Sequence, residues 1–320
     1  MVVETCDKIS LGESNAVYHS GWTIVTGASG SIGAALTEGL AAQGYSVVMA
    51  CRNLKKAEPI RQQIMERSGN DRIVLRELDL ASLSSIKNFI TELRQVAMPV
   101  SRLLNNAGVM NGTFRLSVDG LEEDTAVNYV APYALTYGLL PLMRRGSRII
   151  NTVSCTWRIG RIGDHYLLPD PENFHRFTTY GSSKLALVLF TMEMAKRMSG
   201  SGITIQAADP GVVDTAMLTM GRWFDPLADL FFRPLVKTPQ QGAATALKLA
   251  LSNEEIGVNG ALWSNCKIRK IPRWVQEHPY RQKLMEDTKL CLEGHGLGLL
   301  CFGSNRAEAV SYTHLRAHET

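Results

Sequence analysis

The chain has 320 residues, of which 45% are hydrophobic and 20% are charged, and its net charge is +4. This composition excludes a disordered or fibrous chain, and a charge this small and scattered does not indicate nucleic-acid binding. No apolar run approaches the ~18 residues of a membrane span.

The remaining compositional signals concern location and metals. The first 20 residues are polar and carry Glu4, Asp7 and Glu13, so we expect an N-terminal extension over 1–20 rather than a signal peptide. Six cysteines form no C-x-x-C pair, and seven histidines show no metal-ligand spacing. We therefore expect no metal site, no disulfide framework and a cytoplasmic location.

Strand-forming runs alternate with helical patterns along the chain. In chain order we predict a strand at 22–26, a helix at 31–43, a strand at 46–50, a helix at 54–67, a strand at 72–78, a helix at 82–96, a strand at 102–105, a helix at 121–143, a strand at 148–153, a helix at 180–198, a strand at 203–207, a helix at 240–251 and a strand at 260–263. This alternation predicts a single α/β domain over 21–295, a Rossmann-like doubly wound parallel sheet of about seven strands with helices on both faces. Periodicity is lost near Gly303, so 303–320 is expected to be a disordered or artefactual tail.

A glycine-rich turn, Thr26-Gly-Ala-Ser-Gly-Ser-Ile-Gly33, joins the first strand to the first helix. This is the context that a dinucleotide-binding turn requires, and an ordinary βα turn is the alternative. Glycines permit the tight turn, the approach of a pyrophosphate and helix packing, and the helix start favours negative charge. The predicted phosphate-binding residues are Gly27, Ser29, Gly30, Ser31, Ile32 and Gly33.

The end of the second strand bears on the choice of nucleotide. Its sequence, Ala50-Cys-Arg-Asn53, lacks the carboxylate that an NAD site usually carries there. The planar guanidinium of Arg52 can instead pair with a 2′-phosphate. We predict NADP(H) over NAD(H), with a solvated arginine as the alternative interpretation.

Tyr180 and Lys184 are four residues apart at the start of a predicted amphipathic helix, so both can face one site. A phenol has a pKa near ~10 and is a poor base at neutral pH. An ammonium about 4 Å away would lower that pKa by roughly three units at an effective dielectric of about 20. The pair is therefore suited to proton transfer, although this spacing alone is more typical of a surface helix.

Several segments together resemble the short-chain dehydrogenase/reductase family, in particular its retinol-dehydrogenase-like branch, over residues 21–294. They are the glycine turn, Asn105-Asn-Ala-Gly-Val-Met110, Val127-Asn-Tyr129, Asn151-Thr-Val-Ser154, Tyr180-Gly-Ser-Ser-Lys184, Asp209-Pro-Gly-Val-Val213 and Thr238-Pro-Gln-Gln-Gly-Ala243. Their joint order and spacing are far more specific than any single motif.

The resemblance implies a role for each matching residue. Tyr180 would be the general acid/base, Lys184 would lower its pKa and hold the nicotinamide ribose, Ser154 would bind the substrate carbonyl, and Asn128 would anchor a water that relays protons to Lys184. The further implied cofactor contacts are Asp79, Leu80, Asn106, Ala107, Gly108, Pro210, Gly211, Val213 and Thr215.

The chain departs from the family pattern in three places. Compact members usually have glycine at the position of Ser31, and the spacing found here is typical of sugar-nucleotide-modifying relatives. A single serine stands where two are usual, so a shift of one residue would give Cys155 the role of Ser154. The inserted residues 158–178 are expected to form a loop beside the substrate.

A strongly apolar segment near 214–237 follows the Pro210-Gly211 turn, and we interpret it as a lid over the substrate. Trp223, Leu227 and either Leu230 or Phe231 follow helical spacing in it, and the alternatives are a core or dimer helix and peripheral membrane contact. We predict an NADP(H)-dependent oxidoreductase acting on an apolar carbonyl or alcohol, in a homo-oligomer as is common among its relatives. An NAD-dependent sugar-nucleotide epimerase or dehydratase and a non-catalytic cofactor-binding protein are the alternatives.

Overall fold

The computed structural model describes residues 21–213, 237–252 and 259–303. Within these residues eight strands form one sheet in the order β3-β2-β1-β4-β5-β6-β7-β8. The strands are β1 (Trp22–Thr26), β2 (Ser46–Cys51), β3 (Ile73–Glu77), β4 (Val100–Asn105), β5 (Met143–Thr152), β6 (Thr204–Asp209), β7 (Leu262–Ser264) and β8 (Lys267–Arg269). The first seven run parallel and β8 pairs antiparallel with β7. The predicted doubly wound parallel sheet is confirmed, and the edge strand β8 adds to it.

The α-helices are α1 (Ser31–Ala42), α2 (Leu54–Ser68), α3 (Leu83–Gln95), α4 (Glu123–Thr125), α5 (Ala131–Leu139), α6 (Arg176–Arg197), α7 (Pro239–Leu251), α8 (Arg273–Gln276), α9 (Arg281–Gly294) and α10 (Gly298–Phe302). Helices α1 to α7 lie between these strands in the chain, and α8 to α10 follow the last strand. Among the described helices, none is both long and apolar enough to cross a bilayer.

Strand alternation divides the core into two layers, because neighbouring strand residues point to opposite faces of the sheet. On β1, Ile24 belongs to the apolar layer that includes side chains of α3, α5, α6 and α9, and Val25 belongs to the layer that includes side chains of α1, α2 and α7. Both side chains are fully buried. A sheet covered on both faces explains the continuous apolar runs of the central strands.

The strand order reverses between β1 and β4, since β2 and β3 lie to one side and β5 to β8 to the other. The connections leave the sheet in opposite directions at this point, so a crevice opens at the carboxyl ends of the strands. This crevice positions the candidate site.

The structure differs from the prediction in the 121–143 segment. A π-helical turn, Ala126–Val130, separates α4 from α5, and Met143 already belongs to β5 because it pairs with Val100. The prediction of one continuous helix is therefore wrong, as is the strand start at 148. Asn128 lies in this π turn, and its side chain forms hydrogen bonds with both the N–H and the carbonyl of Val109.

Helices α8, α9 and α10 were absent from the prediction. They cover the face formed by α5 and α6, where the Tyr129 hydroxyl lies 2.7 Å from Thr288 Oγ1 and the Tyr133 hydroxyl donates to the Met285 carbonyl at 3.0 Å. Their sequence gives a weak local signal because α8 and α10 have only 4 and 5 residues and α9 is mostly polar. Most of the predicted lid (214–236) and of the predicted tail (304–320) lies outside the described residues.

Candidate active site

A cleft of about 730 Å³ opens at the carboxyl ends of the central strands. Thr215 lies outside the described residues, and every other predicted cofactor residue lines this cleft. These are Gly27, Ser29, Gly30, Ser31, Ile32, Gly33, Arg52, Asp79, Leu80, Asn106, Ala107, Gly108, Tyr180, Lys184, Pro210, Gly211 and Val213. Residues distant in sequence thus share one cavity.

The glycine turn forms the phosphate-binding part of the wall. Gly27 has a left-handed backbone (φ 62°), and a Cβ on Gly33 would lie 2.2 Å from the Gly27 carbonyl oxygen, so neither position accepts a larger residue without a backbone shift. Gly30 precedes α1 and supplies no side-chain cap. The first-turn amides of α1 therefore remain available for the oxygens of a pyrophosphate, and the turn fits a dinucleotide.

Thr26 joins this turn to the end of β4. Its Oγ1 accepts the backbone N–H groups of Asn106 and Ala107 at 3.0 Å each, and its carbonyl accepts the Asn106 side-chain amide at 2.9 Å. Thr26 is the first residue of the predicted glycine turn, and the sequence alone predicted no role for it. Its hydroxyl holds together the two segments on either side of the strand-order reversal.

The end of β2 presents positive charge to the cleft. Arg52 is exposed and lines the wall, and Lys56 on α2 lines it nearby. Asn53 accepts the Lys56 N–H at 3.0 Å and so begins α2 at this point. Lys56 was not predicted as a site residue. Its position four residues after Arg52 was the sequence feature that could have identified it.

Asp79, a predicted adenine neighbour, also shapes the chain locally. Its Oδ1 accepts the Ala81 N–H at 3.0 Å, and its own N–H donates to Ser85 Oγ at 2.9 Å. The residue thus organises the start of α3 and lines the cleft as well. The two interpretations of Asp79 are compatible.

Tyr180, Ser154 and Lys184 meet on one wall. Helix α6 begins at Arg176, so Tyr180 and Lys184 lie on successive turns, with Lys184 Nζ 5.6 Å from the Tyr180 ring centre. The Ser154 hydroxyl lies close enough to the Tyr180 phenol to lower its pKa, and Lys184 Nζ donates to the Thr152 carbonyl at 3.0 Å. A hydroxyl pair backed by a buried ammonium can bind a carbonyl oxygen and exchange a proton with it.

Burial governs both titrating groups. It raises the pKa of Tyr180 to about 12, against the opposing effect of Ser154, and it lowers the pKa of Lys184 to about 8. The prediction of a lowered phenol pKa is wrong for the polypeptide alone. The phenol is protonated at neutral pH, because desolvation outweighs the effect of Ser154 and the nearby Asp124 and Asp209 also disfavour the phenolate.

Asn128 lies behind the cleft wall, fully buried in the π turn. Its Oδ1 accepts the Val109 N–H at 2.9 Å, and its Nδ2 donates to the Val109 carbonyl at 2.8 Å and to Ser183 Oγ at 2.9 Å. A Cβ on Gly108 would lie 3.1 Å from both Asn128 Oδ1 and Lys184 Nζ. Both side chains therefore approach the same glycine, and the structure brings together the predicted catalytic set.

Cys155 is an exposed, free thiol that also lines the cleft. Its neighbour Ser154 is the residue that lowers the pKa of Tyr180, whereas Cys155 raises it. In the inserted segment, Phe177 lines the cleft, whereas Tyr166 packs on Tyr129 and lies 3.3 Å from Thr125 Oγ1. Part of the insertion thus belongs to the core.

Sequence comparison agrees with this geometry. The family model for short chain dehydrogenases matches residues 21–222. The chain is 37% identical to retinol dehydrogenase 11 of Mus musculus, over 77% of this chain and 78% of that protein. It is 32% identical to the WW domain-containing oxidoreductase of Drosophila melanogaster, over 78% of this chain and 62% of that protein.

Solved structures give the same result. A short chain dehydrogenase from Burkholderia cenocepacia is similar with a TM-score of 0.62 and 25% identity, covering 78% of this chain and 97% of that one. A Mycobacterium Paratuberculosis protein shares the fold with a TM-score of 0.70 and 24% identity, covering 86% and 94%. The chain belongs to the short-chain dehydrogenase/reductase family, in its retinol-dehydrogenase-like branch.

Proposed function

We propose that the protein is an NADP(H)-dependent alcohol dehydrogenase or carbonyl reductase acting on an apolar substrate. The observation that carries the proposal is that the Ser154–Tyr180 hydroxyl pair and Lys184 lie in the same cleft as the glycine turn. A proton donor therefore faces the place where a bound dinucleotide would present its reactive ring.

The chain supplies binding and proton transfer. Ser154 and Tyr180 would donate hydrogen bonds to the carbonyl oxygen, and in reduction Tyr180 would give its proton to that oxygen as the alcohol forms. Lys184 would hold the nicotinamide ribose and stabilise the phenolate that remains. When bound, the nicotinamide supplies the hydride, or accepts it in the oxidation direction.

Preference for NADP(H) is supported by charge. Arg52 and Lys56 both line the cleft after β2, and the carboxylates of the described wall, Asp79 and Glu123, come from other segments. A 2′-phosphate would gain charge-assisted hydrogen bonds from this pair. The Burkholderia cenocepacia relative was solved in complex with NADP, which agrees with the proposal.

An apolar substrate is supported by the cleft mouth. Phe177 and Val212 line it and remain 52% and 50% exposed. Large apolar side chains in a pocket wall favour a ligand that covers them. The named activity of the retinol dehydrogenase relatives, which concerns a lipophilic alcohol, points the same way.

Tyr180→Phe tests the proposal. We expect NADPH binding, followed by nucleotide fluorescence, to stay within about twofold, while turnover of apolar aldehydes falls by about 10²-fold or more. Retained turnover would refute the acid/base role. NAD that co-purifies and survives dialysis would favour the epimerase alternative.

A further inference from the structure

Residues 210–213, called here the β6 wall segment, follow β6 and line one end of the cleft. They read Pro-Gly-Val-Val and carry no side chain that can form a hydrogen bond. Gly211 has a left-handed backbone (φ 77°), and its N–H donates to Asp209 Oδ1 at 2.9 Å. The position of this segment therefore depends on contacts made to its backbone.

Lys237 supplies such contacts. Its Nζ donates to the Pro210 carbonyl at 2.9 Å, and its backbone N–H donates to the Val212 carbonyl at 2.9 Å. Lys237 also forms a parallel β-bridge with Val213, and a Cβ on Gly211 would lie 2.9 Å from Lys237 Nζ. The lysine thus reaches all four residues of the segment, through its backbone and its side chain.

The hairpin between β7 and β8 holds the other side of the Lys237 ammonium. Asn265 Oδ1 accepts a hydrogen bond from Lys237 Nζ at 2.6 Å. Asn265 and Cys266 have φ values of 53° and 58° and lie between the paired residues Ser264 and Lys267, so both have the positive φ that a two-residue type I′ turn requires. Asparagine adopts this backbone more readily than most residues, and the turn therefore presents its amide oxygen at a defined place.

Helix α7 gives both partners a fixed base. Thr238, the residue after Lys237, caps α7: its Oγ1 accepts the Gln241 N–H at 3.2 Å, and its own N–H donates to Gln241 Oε1 at 3.0 Å. In the hairpin turn, the Cys266 N–H donates to Thr245 Oγ1 on α7 at 3.2 Å. The lysine and the hairpin turn are therefore held by the same helix.

The β6 wall segment lies at the end of the cleft away from the positive charge. Along the sheet the cleft extends from Arg52 after β2, past the glycine turn after β1, to Ser154 after β5 and the wall segment after β6. A dinucleotide with its 2′-phosphate at Arg52 and its pyrophosphate at the glycine turn would direct its nicotinamide toward Ser154 and the wall segment.

We propose that Lys237 is a positioning residue that fixes the β6 wall segment beside the nicotinamide, through its hydrogen bonds to the Pro210 carbonyl and Asn265. The inference rests on the proposed function, since that function places the nicotinamide in this cleft. Lys237 is absent from the described cleft wall, so it acts through the segment. Without its ammonium, the Pro210 carbonyl and the Asn265 amide lose their shared donor. The nicotinamide half of the cofactor is then held less well, and the adenosine half is unaffected.

The test compares two ligands by isothermal titration calorimetry. One is NADPH, and the other is adenosine 2′,5′-bisphosphate, which carries the adenosine and the 2′-phosphate but lacks the nicotinamide. In Lys237→Met we expect NADPH to bind about fivefold more weakly, and adenosine 2′,5′-bisphosphate to bind within about twofold of the wild type. Turnover of an apolar aldehyde at saturating NADPH should fall about 10-fold, because the ring is less well oriented. A merely structural role would weaken both ligands alike.

Lys248→Met is the matched control. Lys248 Nζ donates to the Cys266 carbonyl of the same hairpin turn at 3.2 Å, but from the last turn of α7, whereas Lys237 precedes the first turn. This variant should bind both ligands within about twofold of the wild type. An equal loss for both ligands in Lys237→Met, unchanged NADPH binding there, or the same NADPH loss in Lys248→Met overturns the inference.

Asn265→Gly is a second variant, because glycine keeps the left-handed turn and removes only the amide. It should weaken NADPH binding less than Lys237→Met does, again without affecting adenosine 2′,5′-bisphosphate. It also decides the question if Lys237→Met does not fold. In the double variant the NADPH loss should equal that of Lys237→Met alone, since both changes remove one contact; additive losses overturn the inference. A wild type that binds neither ligand overturns the proposed function instead.

Discussion

Replacing Lys184 with methionine should stabilise the protein while abolishing its activity. The ammonium is fully buried, and its pKa falls from 10.5 in the unfolded chain to about 8 in the fold. At about 1.4 kcal/mol per pH unit, this difference corresponds to a cost of about 3 kcal/mol at pH 7. Methionine has a similar length and no charge. Because the variant also loses the hydrogen bond from Lys184 Nζ to the Thr152 carbonyl, we expect a net gain of about 1–3 kcal/mol in the free energy of unfolding.

The sign of the pH dependence identifies the cause. Between pH 8 and 10.5 the unfolded chain binds more protons than the fold, so the stability contributed by Lys184 rises with pH across this window. The advantage of Lys184→Met should therefore shrink from its full value at pH 7 to near zero by pH 10.5.

Urea unfolding followed by circular dichroism at pH 7, 9 and 10 measures this advantage. Lys87→Met, on the exposed side of α3, is the control and should change stability by no more than about 0.5 kcal/mol. A variant less stable than the wild type at pH 7, or a gain that does not vary with pH, would refute the reasoning.

Two further predictions concern ligand binding. Arg52→Ala should weaken NADPH binding about 10-fold or more and leave NADH binding within about twofold, as one charge-assisted contact is lost; equal effects on both nucleotides in fluorescence titrations would remove the role of Arg52. Ser154→Ala should lower kcat/KM for an apolar aldehyde by about 10²-fold in steady-state assays, whereas Cys155→Ala should leave it near the wild-type value, and the reverse ranking would move the carbonyl-binding role to Cys155.

Much of the site was predictable because its signals are local. The glycine turn is one continuous segment, and the Tyr180–Lys184 pair depends only on helical periodicity. The alternation of strands and helices predicted the parallel sheet, now confirmed. Each of these inferences needs no knowledge of which distant segments meet.

Other features depend on contacts between distant segments. The π turn at Asn128 depends on the backbone of Val109, and the direction of the Tyr180 pKa depends on how deeply the fold buries the phenol. Helix α9 is recognisable from its contacts with Tyr129 and Tyr133. Local periodicity carries none of this information.

By itself, the amino-acid sequence determined the parallel sheet and the glycine turn, and it predicted the candidate proton-transfer residues, because backbone conformation and helix spacing follow from neighbouring residues. Only the tertiary structure decided the charge environment, because the desolvation of Tyr180 and Lys184 arises when separate elements exclude water from a shared interior.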